Sequence, residues 1–268
     1  MATAEHRQCE IVAVALQKGG VGKTTTTINL AAHLAAMGFR VLLIDMDQQA
    51  HSTKGIGIDL DAEDASMYEV LHPDRAIRVP LASVIRPSAF GIDVAPGHLA
   101  LKELERTGLG SGGQLRLARQ LDDIDGYDYV LMDCPPALGE LTTAALAAAD
   151  YVLAVLKAGP DEIDGLVELG NSILDVQETL NPDIEIRYVL LADFDGNPKA
   201  SRDVRAQLRA DWGEWDAGGA YLGEIPHTVR VVEAKGRRVP IHVHAPTSTA
   251  AIAYREVAER IAAKRSAA

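Results

Sequence analysis

The chain has 268 residues, 47% of them hydrophobic, which is enough apolar side chain to bury the core of one large domain. It contains no run of about 18 apolar residues, and its first ten residues lack the basic and apolar regions of a signal peptide. The sequence therefore predicts one cytosolic domain spanning residues 1–268. The formal net charge of −12 disfavours overall attraction to nucleic acid, so any nucleic-acid surface has to be a local basic patch.

The first predicted elements are a strand, a glycine-rich turn and a helix. An apolar run at 11–16 precedes Lys-Gly-Gly-Val-Gly-Lys-Thr-Thr at 18–25, and an Ala/Leu-rich segment continues to Met37. Glycines allow successive backbone N–H groups to turn inward toward phosphates, next to the positive end of the helix. The pattern predicts a nucleotide-binding loop, with contacts from Gly19, Gly20, Val21, Gly22, Lys23, Thr24 and Thr25.

This loop departs from the common form GxxxxGK[ST], which requires glycine where the chain has Gln17. It carries instead a second lysine, Lys18, at the start of the turn. Lys23 is placed to reach the β- and γ-phosphates, and Thr24 to bind a magnesium ion that bridges the same oxygens. From its position, Lys18 could reach a nucleotide held by a second subunit.

Two further predicted strands end in aspartates. Residues 41–44 lead to Asp45 and Asp47, whose alternate positions place both carboxylates on one side of an extended backbone. Residues 129–133 read as a buried parallel strand that ends in Asp133. Because ligand sites in open α/β sheets lie at the carboxyl ends of the strands, we expect all three carboxylates at the phosphate site.

The rest of the chain alternates between strands and helices. Further strands are predicted at 92–95, 151–156, 184–192 and 220–225. Helices are predicted at 99–106, 114–121, 162–180 and 199–210, and an irregular segment after residue 225 leads to a last helix. Alternation of this kind predicts an α/β fold of the P-loop NTPase type, with a mostly parallel twisted sheet and helices on both faces.

Three segments together carry a family resemblance. The loop KGGVGKTTTT, with the later segments IDMDQQAHST and YVLMDCPPALG, resembles the deviant Walker family of P-loop ATPases, and within it the ParA branch that partitions plasmids and chromosomes. The segment IPHTVRVVEAKGRRVPI is similar to the family's fourth block. The resemblance implies a slow ATPase with ATP and Mg²⁺ as cofactors, an ATP-dependent homodimer, non-specific DNA as a partner, and stimulation by a ParB-like centromere-binding protein.

The resemblance also implies roles for individual residues. Lys18, Lys23 and Asp47 would be catalytic, with Asp47 orienting the attacking water. Asp45 would lie in the outer shell of the magnesium, and Asp133 would hold the ion through water. The segment 134–139 would sense the γ-phosphate, and the base would pack near Pro226. This chain departs from the family in having Gln48 instead of proline, and His227 and Thr228 beside Pro226.

Basic residues are concentrated in the last third of the chain. Arg202, Arg205 and Arg209 are spaced by three and four, so they share one helix face, and a second basic run lies at 230–238. Such a pattern alone is equally typical of a solvated helix face. The resemblance favours DNA binding without sequence preference. The predicted DNA contacts are Arg202, Arg205, Arg230, Lys235, Arg237 and Arg238.

The cysteines and histidines of the sequence argue against an iron–sulfur cluster and against a histidine metal site. Cys9 and Cys134 form no CxxC pair, which counts against the iron–sulfur members of the superfamily. The pair His242 and His244, taken as extended, reads as solvated or hydrogen-bonded histidines rather than metal ligands.

The C-terminal helix bears on membrane binding. Tyr254, Val257, Ala258 and Ile261 form a stripe expected to face the core, and residues 264–268 offer no bulky apolar group to insert, so membrane anchoring is not expected. The loop begins close to residue 1, so no helix-turn-helix extension is expected. The sequence thus indicates a cytoplasmic, nucleoid-associated DNA-partitioning ATPase. The alternatives are a ParA-like positioning ATPase for a protein cargo and a MinD-like regulator of division at the membrane surface.

Overall fold

The computed structural model describes residues 9–61 and 63–265, in which eight strands form one sheet. The strands are β1 (Glu10–Ala15), β2 (Val41–Asp45), β3 (Arg86–Pro87), β4 (Ile92–Ala95), β5 (Tyr129–Asp133), β6 (Tyr151–Leu156), β7 (Ile186–Phe194) and β8 (Tyr221–Pro226). Their order across the sheet is β3-β4-β2-β5-β1-β6-β7-β8. Within it β3 pairs antiparallel with β4, and the other neighbours are parallel.

Helices connect the strands and cover both faces of the sheet. They are α1 (Lys23–Ala36), α2 (His51–Gly55), α3 (Met67–Leu71), α4 (Leu81–Val84), α5 (Leu101–Thr107), α6 (Arg116–Asp122), α7 (Glu140–Ala148), α8 (Pro160–Thr179), α9 (Lys199–Trp212), α10 (Val229–Gly236), α11 (Ile241–His244) and α12 (Thr249–Arg265). A 3₁₀ turn covers residues 215–217.

The core consists of two apolar layers separated by the sheet. Strands β2, β5 and β6 are buried along their whole length, because parallel strands covered on both faces need apolar side chains in both directions. Alternate side chains of these strands pack on one side against α1 and α12, and on the other against α5 to α9. In α12, Tyr254, Val257, Ala258 and Ile261 are all buried, as the sequence predicts for its core-facing stripe.

The mostly parallel sheet confirms the predicted fold class, and the strands carrying the predicted site residues lie where the sequence places them. The segment after β8 differs from the prediction. It is not irregular, because Thr228 caps the N-terminus of α10 by accepting a hydrogen bond from the backbone N–H of Arg230. The prediction that His242 and His244 lie on an extended segment is wrong as well, since both belong to α11. His244 is hydrogen-bonded, with Nε2 3.0 Å from a carboxylate oxygen of Glu233.

No helix in the part of the chain that the structure describes is both long and apolar enough to cross a membrane. The predicted polar end of the chain falls partly at residues 266–268, which lie outside the described residues.

Two histidines lie where α1 meets α11, His33 buried and His242 half-buried. The Nδ1 atom of His33 lies 2.7 Å from the carbonyl oxygen of Asn29, and its ring centroid lies 4.8 Å from that of His242. Burial lowers the pKa of both imidazoles, and the neighbouring His33 lowers that of His242 further. In the folded chain both rings therefore favour the neutral form.

This pair predicts a loss of stability in mild acid. The unfolded chain binds protons at these histidines below about pH 6.5, whereas the folded chain resists doing so, so acidification favours unfolding. We expect the melting temperature to fall between pH 7.5 and pH 5.5, and His33→Gln to reduce that fall. His98→Gln, at an exposed histidine, is the matched control. Equal pH dependence of the melting temperature in all three proteins would contradict the assignment.

Candidate nucleotide site

The glycine-rich loop lies between the end of β1 and the start of α1, at the carboxyl edge of the sheet. Gly20 and Gly22 have φ values of +75° and +102°, in the left-handed region that residues with a Cβ atom rarely adopt. A Cβ on Gly22 would also lie 3.0 Å from Cβ of Ala192. The loop therefore requires glycine at this position on two grounds. Its N–H groups and the first turn of α1 form the type of nest that binds phosphates.

Lys23 extends back along the loop. Its ammonium donates to the carbonyl oxygens of Leu16 and Lys18, at 3.0 and 2.7 Å, and the residue is only 7% exposed. Burial lowers the pKa of Lys23, and the negative charges of Asp133 and Asp47 oppose that shift. The lysine is thus a buried cation, placed between the loop and the carboxylates.

The three predicted carboxylates lie together. Asp45 ends β2 and Asp133 ends β5, and the two are paired in register on adjacent strands. Both side chains are fully buried, and Asp47, two residues after Asp45, is 8% exposed. Burial raises the pKa of Asp45, and the charge of Asp133 raises it further; burial raises the pKa of Asp133 as well. A cation placed here would remove this electrostatic cost.

The hydrogen bonds of Asp45 and Asp133 differ. Asp45 accepts from the backbone N–H and the hydroxyl of Thr53 at 2.8 and 2.7 Å, and from the N–H of Asp47 at 3.1 Å. Its carboxylate thus braces the segment between β2 and α2. Asp133 accepts from the Ser52 hydroxyl at 2.6 Å, while its Oδ1 atom is buried with no hydrogen-bond partner among the described residues.

The open oxygen of Asp133 fits a magnesium site. The hydroxyl of Thr24 lies close enough to lower the pKa of Asp133, so a hydroxyl and a carboxylate meet at the phosphate end of the loop. Within residues 9–61 and 63–265, no three His, Cys, Asp or Glu side chains are arranged so that all three could ligate one metal ion. Magnesium commonly takes one or two carboxylates and completes its octahedron with water and substrate phosphates, so a small protein ligand set suits it.

Asp47 faces the cavity in front of the loop. This cavity has a volume of about 320 Å³ and is lined by Gly19, Gly20, Val21, Gly22, Lys23, Thr24, Thr25, Asp47, Gln49, His51, Pro136 and Lys235. One carboxylate oxygen of Asp47 accepts from the N–H of Gln49 at 2.9 Å, which fixes its orientation. Pro136 belongs to the segment 134–139 after β5, so that predicted γ-phosphate sensor borders the same cavity.

Lys18 is engaged within its own chain. Its ammonium lies 3.2 Å from a carboxylate oxygen of Glu162 in the first turn of α8. The Lys18 side chain is 35% exposed and that of Glu162 is 12% exposed. Glu162 therefore holds the distinctive lysine of the loop beside the phosphate cavity. Nothing in the sequence indicates this pairing, because 144 residues separate the two side chains.

A second cavity of about 180 Å³ adjoins the loop at the predicted base position. Its lining includes Gly22, Ala192 and Pro226, the last of which is the residue that the resemblance implies packs near the base. Asp193 borders it in a left-handed backbone conformation, 2.8 Å from Lys157 and 2.7 Å from His227. Burial raises the pKa of Asp193, whereas the hydrogen bonds from Lys157 and His227 lower it. The net result is a pKa below the usual value of an aspartate.

The predicted DNA contacts fall into two groups. Arg202 and Arg205 lie on α9, where Arg202 donates to the carbonyl oxygen of Gly196 at 3.0 Å and Arg205 lies 3.7 Å from Glu224. Arg230 lies on α10, 2.8 Å from Glu233, and Arg237 follows that helix and is exposed. These side chains are at the surface, and their neighbouring acids reduce the net positive charge.

Arg238 and Lys235, which the sequence also predicts to contact DNA, lie in different environments from these four arginines. Arg238 joins α10 to the segment after α2. It contacts both carboxylate oxygens of Asp59, at 2.7 and 3.0 Å, and donates to the backbone carbonyls of Lys54 and Ile58. Lys235 lines the nucleotide cavity with the glycine-rich loop. The sequence grouped both residues with the arginines because they are neighbours in the chain, whereas α10 directs them to different places.

The chain matches the family described as AAA domain over residues 9–186. It is 38% identical over 254 residues to the chromosome-partitioning ATPase Soj of Thermus thermophilus, a match covering 94% of this chain and 95% of that protein. It is 36% identical over 255 residues to the chromosome partitioning protein ParA of Caulobacter vibrioides, covering 94% and 93%. The chain belongs to the ParA/Soj family of P-loop ATPases.

A solved structure shares the fold. It is that of cobyrinic acid a,c-diamide synthase from Mycobacterium smegmatis with bound ADP and magnesium, at a TM-score of 0.76 and 33% identity, covering 94% of this chain and 93% of that one. Membership of the ParA/Soj family makes the chain an ATPase.

Proposed function

We propose that this protein is a DNA-partitioning ATPase that binds ATP and Mg²⁺, dimerises around the nucleotide, binds DNA without sequence preference and releases it after hydrolysis. The observation that carries the proposal is the placement of α10. Val231 and Lys235 of this helix line the 180 Å³ cavity, Lys235 also lines the 320 Å³ cavity, and Arg230 on the same helix lies at the surface. A single helix thus joins the site of hydrolysis to a basic surface.

The chain's own residues would divide the chemistry as follows. The loop and Lys23 would bind the phosphates, and Asp133 and Thr24 would hold the magnesium, which would neutralise phosphate charge. Asp47 orients water at the γ-phosphate from its place in the cavity wall. Asp45 braces the segment that carries Asp47, because its oxygens accept from Thr53 and from the Asp47 N–H.

The dimer and its partner complete the proposal. Lys18 would exchange Glu162 for a phosphate of the nucleotide bound by the second subunit. A ParB-like protein would accelerate hydrolysis, and the resulting gradient of bound and free protein would move the DNA cargo. The chromosome-partitioning roles of the Thermus and Caulobacter relatives, at 38% and 36% identity, support this choice over a protein cargo or a MinD-like role at a membrane.

DNA binding by the wild type is expected to require ATP and to weaken steeply with salt. Each neutralised phosphate contributes about 0.9 to the slope of log affinity against log salt concentration. Phosphate contacts carry no base information, so affinities for unrelated duplexes should agree. The variant Arg202→Glu/Arg230→Glu/Arg237→Glu should abolish binding while basal ATPase activity persists. Arg238 is left unchanged because it is paired with Asp59 and contributes to the fold.

The control for that variant carries the same change in net charge at exposed residues outside both basic groups, as Arg75→Glu/Lys102→Glu/Arg106→Glu. Gel-shift titrations at several salt concentrations, with ATP, ADP and no nucleotide, give the measurement. Loss of binding in both triple variants would mean that net charge alone matters. Wild-type binding that ignores the nucleotide would argue against DNA partition and favour the alternatives.

A further inference from the structure

Lys235 lines the cavities beside the glycine-rich loop, whereas Arg230, Arg237 and Arg238 do not. Three adjoining cavities border the glycine-rich loop, and Lys235 and Thr25 line all three. Lys235 is exposed and lies one helical turn after Val231, and both residues line the 180 Å³ cavity together with Val232. Between them in sequence, Ala234 is buried against the core.

The charge of Lys235 is available to a ligand. Arg230 and Arg238 are paired with Glu233 and Asp59, respectively. The ammonium of Lys235, by contrast, forms no ion pair or hydrogen bond with residues 9–61 or 63–265. A lysine is a compact point charge on a flexible stem, and it binds phosphate oxygens without needing a fixed geometry. An exposed lysine beside a phosphate-binding nest is thus placed to contact a nucleotide.

We propose that Lys235 binds the nucleotide held by its own chain, at the phosphate nearest the ribose. The cavity of Asp47 and Thr24 takes the terminal phosphates, and the cavity of Pro226 and Ala192 takes the base. Lys235 lines both, so it lies where the two meet. This inference rests on the proposed function, because it assumes that the cavities bind a nucleotide. It gives α10 a direct contact with that nucleotide, on which the proposed DNA binding depends.

Calorimetric titration of the full chain with Mg²⁺–ADP and with a nonhydrolysable Mg²⁺–ATP analogue tests the contact. Lys235→Ala should weaken both ligands about tenfold, a loss of about 1.4 kcal/mol for a single charge-assisted contact. The two losses should be equal, because both nucleotides carry the phosphate nearest the ribose. Lys235→Arg should restore most of the affinity, and Arg237→Ala is the matched control on the same basic run. Unchanged ADP affinity in Lys235→Ala would overturn the proposal, as would a loss confined to the ATP analogue.

A second measurement separates this inference from a DNA role for the same lysine. With the ATP analogue at saturation, Lys235→Ala should bind DNA with wild-type affinity and an unchanged salt slope. A slope reduced by about 0.9 would place Lys235 against a DNA phosphate instead and overturn the inference. Wild-type protein that binds no DNA at all would refute the proposed partition function, whereas the ADP titration would still decide the nucleotide contact.

Discussion

Replacing Asp47 with alanine is expected to lower the rate of ATP hydrolysis about a hundredfold and to leave ATP bound. Positioning of a reactant by a general base contributes at least this much in many enzymes, and a hundredfold corresponds to about 3 kcal/mol of barrier. The phosphate contacts belong to the loop, to Lys23 and to the N-terminus of α1, none of which Asp47 supplies. The expected result is an ATP-bound dimer that does not turn over.

The structure suggests a sharper pair of variants for this test. Asp47 also fixes the local backbone by accepting from the N–H of Gln49, so alanine removes a brace as well as a carboxylate. Asp47→Asn keeps an acceptor at that position and removes only the charge. Both variants should be equally slow in phosphate release assays while retaining nucleotide in calorimetry. An Asp47→Asn protein with wild-type turnover would exclude Asp47 from the chemistry.

Asp133→Asn provides the contrast between water positioning and metal binding. Asparagine can still accept from the Ser52 hydroxyl, but it removes the buried charge that fits the ion. Its ATP affinity should therefore lose most of its dependence on magnesium, which the Asp47 variants should retain. The two acids are close in space, yet the measurements separate their roles.

Much of the nucleotide site was predictable because its chemistry is local in sequence. The strand, turn and helix around residues 18–25 form one continuous segment, and Asp45 and Asp133 each end an apolar run that is typical of a buried parallel strand. Adjacent strands in a parallel sheet bring their carboxyl ends together, so the meeting of the two acids followed from the fold class. Ser52 and Thr53, which hold these acids, lie in the quoted segment IDMDQQAHST, but nothing in their spacing identified them.

The rest of the site depends on contacts between distant parts of the chain. The pairing of Arg238 with Asp59 joins residues 179 apart. Helix α10 was missed because the run Val-Arg-Val-Val has weak helix propensity, and the cap at Thr228 together with burial of Ala234 outweighs that preference. Once the helix forms, it places Arg230 beside Glu233 at the surface and Lys235, also exposed, at the edge of the cavities beside the glycine-rich loop. Charge counting along the sequence could not distinguish these two positions.

Replacing Lys18 with alanine is expected to abolish the ATP-dependent dimer while retaining nucleotide binding. Lys23 and the backbone nest remain to hold the phosphates of one chain, whereas Lys18 is the residue proposed to reach the second nucleotide. Multi-angle light scattering with the nonhydrolysable ATP analogue measures the dimer, and calorimetry measures binding. A Lys18→Ala protein that dimerises like the wild type would remove this residue from the proposed subunit contact.

Glu162 makes this prediction more specific to Lys18. In the single chain its carboxylate holds the Lys18 ammonium at 3.2 Å, so dimerisation has to break that ion pair before a phosphate can replace it. Glu162→Gln removes the competing charge, and we therefore expect dimerisation at lower concentrations of protein or ATP than in the wild type. Glu168→Gln, an exposed acid on the same helix, is the matched control and should behave as the wild type. In the double variant with Lys18→Ala, the gain from Glu162→Gln should vanish, because the group that it releases is no longer present.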